Sequence, residues 1–100
     1  MSREQIISTL RSAFPALRLE FPVRSLALFG SAARGDARPD SDIDILVQFE
    51  PGAPVTLFTL ARLLTRLQAL LGPRVDLIED HDGLGPRFRA AIERDLCRVA

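Results

Sequence analysis

The chain has 100 residues, of which 47% are hydrophobic, and its thirteen basic and thirteen acidic residues give a formal net charge of zero. A chain of this length buries one modest core, so we expect a single domain over residues 1–100. The acidic and basic residues are interleaved, which argues against direct nucleic-acid binding or attachment to anionic lipid. Every basic residue is arginine, which excludes reactions that need a catalytic or phosphate-loop lysine.

The N-terminus lacks the basic and apolar regions of a signal peptide, and no apolar run approaches the ~20 residues of a membrane span. We therefore expect a soluble cytoplasmic protein without membrane contact. Cys97 is the only cysteine, so an internal disulfide is excluded, and we interpret this residue as a small buried side chain.

The first half of the chain predicts one helix and two strands. Ser2 and Gln5 have the spacing of a capping box, and apolar residues then recur at helical intervals until Pro22. Runs rich in β-branched and large apolar residues predict strands over Val23–Phe29 and Ile43–Phe49.

The second half predicts a helix over residues 56–71, a strand over residues 74–79 and a last helix from Pro86. In the last helix, Leu96 and Val99 are expected to share the apolar face. The apolar stripe of the middle helix consists of Leu57, Leu60, Leu64, Leu67 and Leu71. We interpret that stripe mainly as core, with room for an exposed patch that contacts a partner or a second copy. The predicted fold is α/β (α+β), with a small mixed sheet of three or more strands and helices packed mainly on one side.

Three aspartates lie in or beside two of the predicted strands, and a strand next to that of Asp42 would carry Asp76 to the same site. Asp42 and Asp44 project from one side of their strand, and Asp76 is the acidic residue inside the otherwise apolar third strand. Three carboxylates this close would raise one another's pKa unless a divalent cation neutralised them. Oxygen ligands favour Mg²⁺, with Mn²⁺ as an alternative. The other interpretation is that Asp42 is a turn or cap residue and Asp44 a surface position of an edge strand.

The first strand leads into Gly30 and Ser31, and a glycine at this place lets the backbone approach a ligand closely. The N–H groups of the following turn, together with the Ser31 hydroxyl, can bind phosphate oxygens. Arg34 can contact the same phosphates or pair with Asp36 or Asp40. Gly35 is expected to reverse the chain.

The pattern of Gly30-Ser31, Arg34-Gly35 and then Ser41-Asp42-Ile43-Asp44, followed by a later strand aspartate, resembles the DNA polymerase β-like nucleotidyltransferase superfamily. The wording LFGSAARG and the small size are similar to the minimal nucleotidyltransferases, the MNT-type antitoxins of HEPN/MNT toxin-antitoxin pairs. The resemblance covers nearly the whole chain. It implies an enzyme that moves a nucleotidyl group, usually AMP from ATP, onto a hydroxyl, which in the antitoxins is a tyrosine of the HEPN ribonuclease toxin.

The resemblance also implies roles for individual residues. Gly30 and Ser31 would hold the triphosphate, with Arg34 and Ser41 as further phosphate-binding candidates. The catalytic and metal-binding candidates are Asp42, Asp44 and Asp76, around two Mg²⁺ ions, and Asp76 could also take the proton of the attacking hydroxyl.

Two other functions stay open at this point. In the first, the chain neutralises a toxin by stoichiometric binding and the carboxylates are unused. In the second, the acceptor is a small molecule such as an antibiotic, which the absence of a second domain disfavours. His81 lies in a polar loop between Asp80 and Asp82, and we interpret it as solvated and outside the site. The oligomeric state, homo- or hetero-oligomer, and the preferred base are not encoded in these patterns.

Overall fold

The computed structural model describes residues 1–36, 38, 41–80 and 85–100, with only the backbone of residues 88, 91, 92 and 95. The helices and strands alternate along the chain. They are α1 (Arg3–Glu20), β1 (Val23–Phe29), α2 (Gly30–Arg34), β2 (Ile43–Phe49), α3 (Leu57–Leu71), β3 (Val75–Glu79), α4 (Pro86–Asp95) and β4 (Cys97–Arg98). The four strands form one mixed sheet in the order β3-β2-β1-β4. The predicted α+β fold is confirmed.

The boundaries of the helices follow from local side-chain chemistry. The capping box predicted for α1 is present, because the Ser2 hydroxyl accepts the Gln5 N–H and the Gln5 side chain accepts the Ser2 N–H. Helix α3 begins in the same way with Thr56 and Thr59. None of the described helices is both long and apolar enough to cross a bilayer.

The sheet register places the ends of three strands side by side. Strands β1 and β2 are antiparallel, with Phe29 opposite Asp44, and strands β2 and β3 are parallel, with Asp44 opposite Asp76. Strand β2 therefore lies inside the sheet. This position contradicts the alternative in which Asp44 belongs to an edge strand.

The two faces of the sheet differ in what covers them. One face packs against α1 and α3 in a core that includes Leu10, Leu17, Leu26, Leu28, Ile45, Val47, Leu63 and Leu67. The other face carries a small cluster of Ala27 and Leu46, with Phe29 and Ile78 against it. Because strand side chains alternate, Asp44 and Asp76 share this second face with Leu46 and Ile78. The helices α1 and α3 thus lie mainly on one side, as predicted.

The prediction for the last helix was wrong at its C-terminal end. Helix α4 ends at Asp95, and Cys97 and Arg98 form β4, which pairs antiparallel with β1. Val99 is only 4% exposed, and its N–H donates to the carbonyl of Leu26 at 2.9 Å. Pairing at this place gives partners to backbone groups of β1, such as the Leu26 carbonyl, that a longer α4 would leave unpaired by this segment.

The leucine stripe predicted for α3 is confirmed in its larger part, because Leu60, Leu64, Leu67 and Leu71 lie in or against the main core. The buried positions are Leu63, Leu67 and Leu71, and Leu63 was absent from the predicted stripe. Leu57 is 83% exposed. The packing of α3 therefore adds Leu63 to the predicted stripe and leaves Leu57 outside the core.

Candidate active site

The Asp44 carboxylate lies where a side chain at residue 30 would stand. Gly30 is the first residue of α2 and has φ of +71°. A Cβ atom added there would lie 2.5 Å from Asp44 Oδ2, which is too short for any carbon–oxygen contact. Pairing of Phe29 with Asp44 brings the two elements together. The structure thus places the predicted glycine turn directly against one of the predicted carboxylates.

The Asp44 carboxyl experiences the negative charges of both other aspartates of the site. Asp76 is its direct partner across the parallel β2–β3 register, and Asp42 lies one residue before β2. Burial is the largest cause that raises the pKa of the Asp44 carboxyl, followed by the negative charge of Asp76 and then that of Asp42. The site therefore holds Asp44 in an environment where its negative charge is unfavourable without a cation.

Asp42 has a basic partner that the sequence reasoning missed. Arg74 Nη1 lies 3.9 Å from Asp42 Oδ1, and both side chains are more than half exposed. The register of the two strands explains this ion pair, because Ile43 is aligned with Val75 and Asp42 therefore lies opposite Arg74. The Ile43 N–H also donates to the Arg74 carbonyl at 2.8 Å. An exposed ion pair of this length contributes little to stability.

Oxygen donors of this kind suit Mg²⁺ or Mn²⁺. In the orientations present, the described part of the chain contains no group of three aspartate, glutamate, histidine or cysteine side chains able to hold one metal ion. Asp42 is turned towards Arg74. The donor set and the unfavourable charge on Asp44 fit a divalent cation, and the three-carboxylate site itself stays a prediction.

Arg34 contacts one of the partners that the sequence left open for it. Its Nε lies 3.2 Å from Asp36 Oδ2, and this pair is exposed. Arg34 also has a further interaction. Gly35 ends α2 in the left-handed conformation, and the Ser31 carbonyl accepts the N–H groups of Gly35 and Asp36 at 3.0 and 3.2 Å. The chain reversal expected at Gly35 is confirmed, while phosphate binding by Ser31 and Arg34 stays a prediction.

Ser41 closes the turn that precedes Asp42. Its Oγ accepts the N–H of Arg38 at 2.9 Å, and its own N–H donates to the Arg38 carbonyl at 2.9 Å. Ser41 therefore has a structural role, and its predicted contact with phosphate is untested. His81 lies outside the described residues. Cys97 is half-buried rather than fully buried, and its Sγ lies 3.1 Å from Arg3 Nη2.

Comparison with known proteins assigns this chain to a family. A model described as "Nucleotidyltransferase domain" matches residues 7–99. The protein adenylyltransferase MntA of Thermococcus cleftensis is 46% identical over 78 residues, covering 78% of this chain and 77% of MntA. A proposed protein adenylyltransferase of Methanocaldococcus jannaschii, MJ1379, is 37% identical over 95 residues, covering 95% of each chain.

Solved structures show the same fold. A proposed minimal nucleotidyltransferase has 42% sequence identity and a TM-score of 0.75, with 96% of this chain and 94% of that chain covered. A complex of the tri-AMPylated HEPN toxin of Shewanella oneidensis with its MNT antitoxin matches at 20% identity with a TM-score of 0.58, covering 98% of this chain and 68% of that chain. At that identity, the second likeness concerns the fold alone.

Proposed function

Because the chain belongs to the nucleotidyltransferase-domain family and is by homology a nucleotidyltransferase, we propose that it transfers AMP from ATP to a hydroxyl of a partner protein. One observation carries the proposal: the Asp44 carboxylate occupies the place where a side chain at residue 30 would stand, and Asp44 is paired in register with Asp76. This supports a site in which a triphosphate-binding turn lies beside the acidic groups that the reaction needs.

The first part of the reaction is binding of the nucleotide. The absence of a side chain at Gly30 lets the Asp44 carboxylate lie against the start of α2, so the triphosphate would meet the backbone N–H groups and the Ser31 hydroxyl beside that carboxylate. Arg34 and Ser41 would add contacts from the two sides of the connecting loop. Arg34 would then exchange its exposed pairing with Asp36 for the more highly charged phosphate.

The carboxylates would hold the divalent cations. Asp42 and Asp44 would bind both ions, and Asp76 would bind the one nearer the acceptor. When bound, the cations would neutralise the triphosphate and favour the negative charge that develops around the α-phosphorus. Asp42 reaches this arrangement by leaving Arg74, and the cost is small because both side chains are exposed.

The acceptor hydroxyl would attack next to Asp76. Its oxygen forms a bond to the α-phosphorus while the bond from that phosphorus to pyrophosphate breaks, and the hydroxyl proton passes to the Asp76 carboxylate and then to water. Asp76 is exposed, so an acceptor from another molecule can reach it.

We further propose that the acceptor is a tyrosine of a HEPN-type ribonuclease toxin and that the chain acts as its antitoxin. MntA of T. cleftensis, 46% identical, is a protein adenylyltransferase. A structural relative with the same fold forms a complex with an AMPylated HEPN toxin. These relatives support the partner class and leave the particular toxin to experiment.

The decisive test measures transfer of label from ATP labelled at the α-phosphate to a co-expressed HEPN toxin in the presence of Mg²⁺. We expect the double variant Asp42→Asn/Asp44→Asn, and separately Asp76→Asn, to lower transfer by about a hundredfold or more. Glu50→Gln is the matched control, because Glu50 is an exposed acid beyond the opposite end of β2. Equal transfer by the double variant and the control would overturn the proposed chemistry.

A second candidate function is stoichiometric neutralisation of the toxin without catalysis. The pairing of Asp42 with Arg74, together with the lack of a three-ligand group among the described side chains as oriented, favours it. In that case the double variant would still protect cells that express the toxin, and no label would reach the toxin from ATP.

A further inference from the structure

The outer strand of the sheet has a free edge. Among the described strands, β3 pairs only with β2. The Arg74 carbonyl accepts the Ile43 N–H at 2.8 Å, and the Asp80 N–H donates to the Val47 carbonyl at 2.7 Å. Backbone groups of successive strand residues point to alternate sides, so the even-numbered residues of this strand face β2. The N–H and C=O groups of Leu77 and Glu79 therefore point away from the sheet, where a further strand can bind them.

An apolar groove runs beside this edge, between β3 and α3. It has a volume of about 370 Å³ and is lined by Leu57, Leu60, Ala61, Leu64, Leu77 and Glu79. Among these lining residues, Leu57 is 83% exposed. Large apolar side chains grouped in this way are typical of a binding surface.

The same strand also carries the acidic residue of the candidate active site. Leu77 packs against the main core on the helical face of the sheet, whereas Ile78 packs against the small cluster on the opposite face. Asp76 shares the face of Ile78 because its side chain has the same parity. The free edge thus has the groove on one face and the reacting carboxylate on the other.

We propose that the acceptor protein docks as an extended segment that adds an antiparallel strand to the free edge of β3. This inference rests on the proposed transferase function and names how the acceptor is recognised. The segment presents a hydroxyl-bearing residue opposite Asp76 and an apolar residue, immediately before it in the chain, opposite Leu77.

The register of an added strand explains both requirements. Leu77 exchanges backbone hydrogen bonds with the apolar residue, whose side chain then lies on the helical face and enters the groove. The next residue forms a pair with Asp76 that lacks these hydrogen bonds, and such pairs have Cβ atoms about 4.5–5.5 Å apart on the same face. Its hydroxyl side chain therefore points towards Asp76 and Asp44.

Charge favours this occupant over a second copy of the same chain. Residues 74–80 contain one arginine and three acidic residues, so each copy of the strand carries a net negative charge. Two copies paired edge to edge would bring two net negative segments against each other, and the Coulomb repulsion between them disfavours that pair. A neutral or basic acceptor segment avoids this repulsion.

Short synthetic peptides test the proposal. The parent peptide carries valine immediately before a central tyrosine, and two analogues are N-methylated at either the valine or the tyrosine. The valine N–H points to β3 and the tyrosine N–H points away. We expect methylation of the valine to lower kcat/KM for transfer from α-labelled ATP about tenfold, and methylation of the tyrosine to change it by less than about twofold.

Two matched protein variants test the groove without adding charge near the carboxylates. Leu57→Asn is expected to lower kcat/KM for the peptide about tenfold, because it places an amide in the apolar groove. Leu19→Asn is the control, since Leu19 is 91% exposed on α1. Slower amide hydrogen exchange at Leu77 and Glu79, when the parent peptide is added, is the independent structural readout.

Several results would overturn this mode of docking. The first is an equal loss of kcat/KM for the two N-methylated peptides. The second is an equal kcat/KM for the variants Leu57→Asn and Leu19→Asn. The third is a dimer of this chain that Leu57→Asn dissociates while transfer to the peptide is unchanged. Failure to label any peptide, by protein that still labels an intact protein in a cell extract, would reject strand docking alone. Failure to label peptides and intact proteins alike would reject the proposed transferase function as well.

Discussion

Gly30 is the residue at which backbone conformation and the acidic site depend on each other. Its φ of +71° is strained for residues with a Cβ, and Asp44 Oδ2 lies 2.5 Å from the place where that Cβ would stand. A phosphate-binding turn alone would explain the positive φ of Gly30 but not the position of Asp44 Oδ2. The glycine is therefore required by the packing of β2 against the start of α2 as well as by any ligand.

We predict that Gly30→Ala lowers the free energy of unfolding by about 2–4 kcal/mol, the sum of backbone strain and displacement of Asp44. Gly52→Ala is the matched control, because Gly52 has a similar φ of +78° and nothing within 4 Å of an added Cβ. We expect the control to lose only about 1–2 kcal/mol. Chemical denaturation of both variants gives the comparison.

The contribution of the Asp44 carboxylate to this loss of stability can be measured in a protein that already carries a substitution at Asp44. When Asp44→Ala is already present, Gly30→Ala should cost no more than Gly52→Ala, since the clashing oxygen is gone. Equal losses for the two glycine variants in the parent protein would show that Asp44 does not restrict residue 30.

At the scale of elements, α3 shows how one helix serves two surfaces. Leu63, Leu67 and Leu71 face the core, and Leu57 at the first turn faces the groove beside β3. The amphipathic pattern predicted four of the leucines that lie in or against the core, and it left out Leu63. The element packed against the helix therefore decides which leucines are buried.

We predict that Leu63→Ala lowers the free energy of unfolding by about 2–5 kcal/mol, because Leu63 is fully buried in the main core. Leu57→Ala should change it by less than about 0.5 kcal/mol, because that side chain is exposed. Thermal unfolding measures both. A larger loss for Leu57→Ala than for Leu63→Ala would contradict the burial of Leu63 and the exposure of Leu57.

For the whole molecule, the acidic site opposes folding when no cation is bound. The raised pKa of Asp44 means that the folded state binds a proton more tightly than the unfolded chain. The free energy of unfolding therefore falls as the pH rises from the unfolded pKa through the folded one, and the loss is complete above the folded pKa. Below the unfolded pKa the carboxyl is protonated in both states and the penalty vanishes.

We predict that Asp44→Asn unfolds at a higher temperature than the parent protein at neutral pH in EDTA, and that this advantage disappears in acid. Asp36→Asn serves as the control, since Asp36 is exposed beside Arg34. Adding Mg²⁺ should raise the unfolding temperature of the parent protein more than that of Asp44→Asn, because a bound cation stabilises the folded state. If Asp44→Asn raised the unfolding temperature equally at every pH, the charge of Asp44 would not be the cause.

Local patterns in the sequence were sufficient for much of the molecule. The strands Val23–Phe29 and Ile43–Phe49, the capping box at Ser2 and the family assignment were all predicted and are confirmed. These features depend on residues that are neighbours in the chain, so a short stretch of sequence contains the necessary information.

Only the tertiary structure decided which parts meet across long stretches of chain. The residue-by-residue register of Asp44 with Asp76, the ion pair of Asp42 with Arg74 and the conversion of Cys97–Arg98 into a strand all depend on pairing between distant strands. The burial of Leu63 on α3 depends likewise on the surfaces that the helix covers. The physical reason is that these contacts are selected by packing of the whole core, whereas local propensity leaves several arrangements of similar energy.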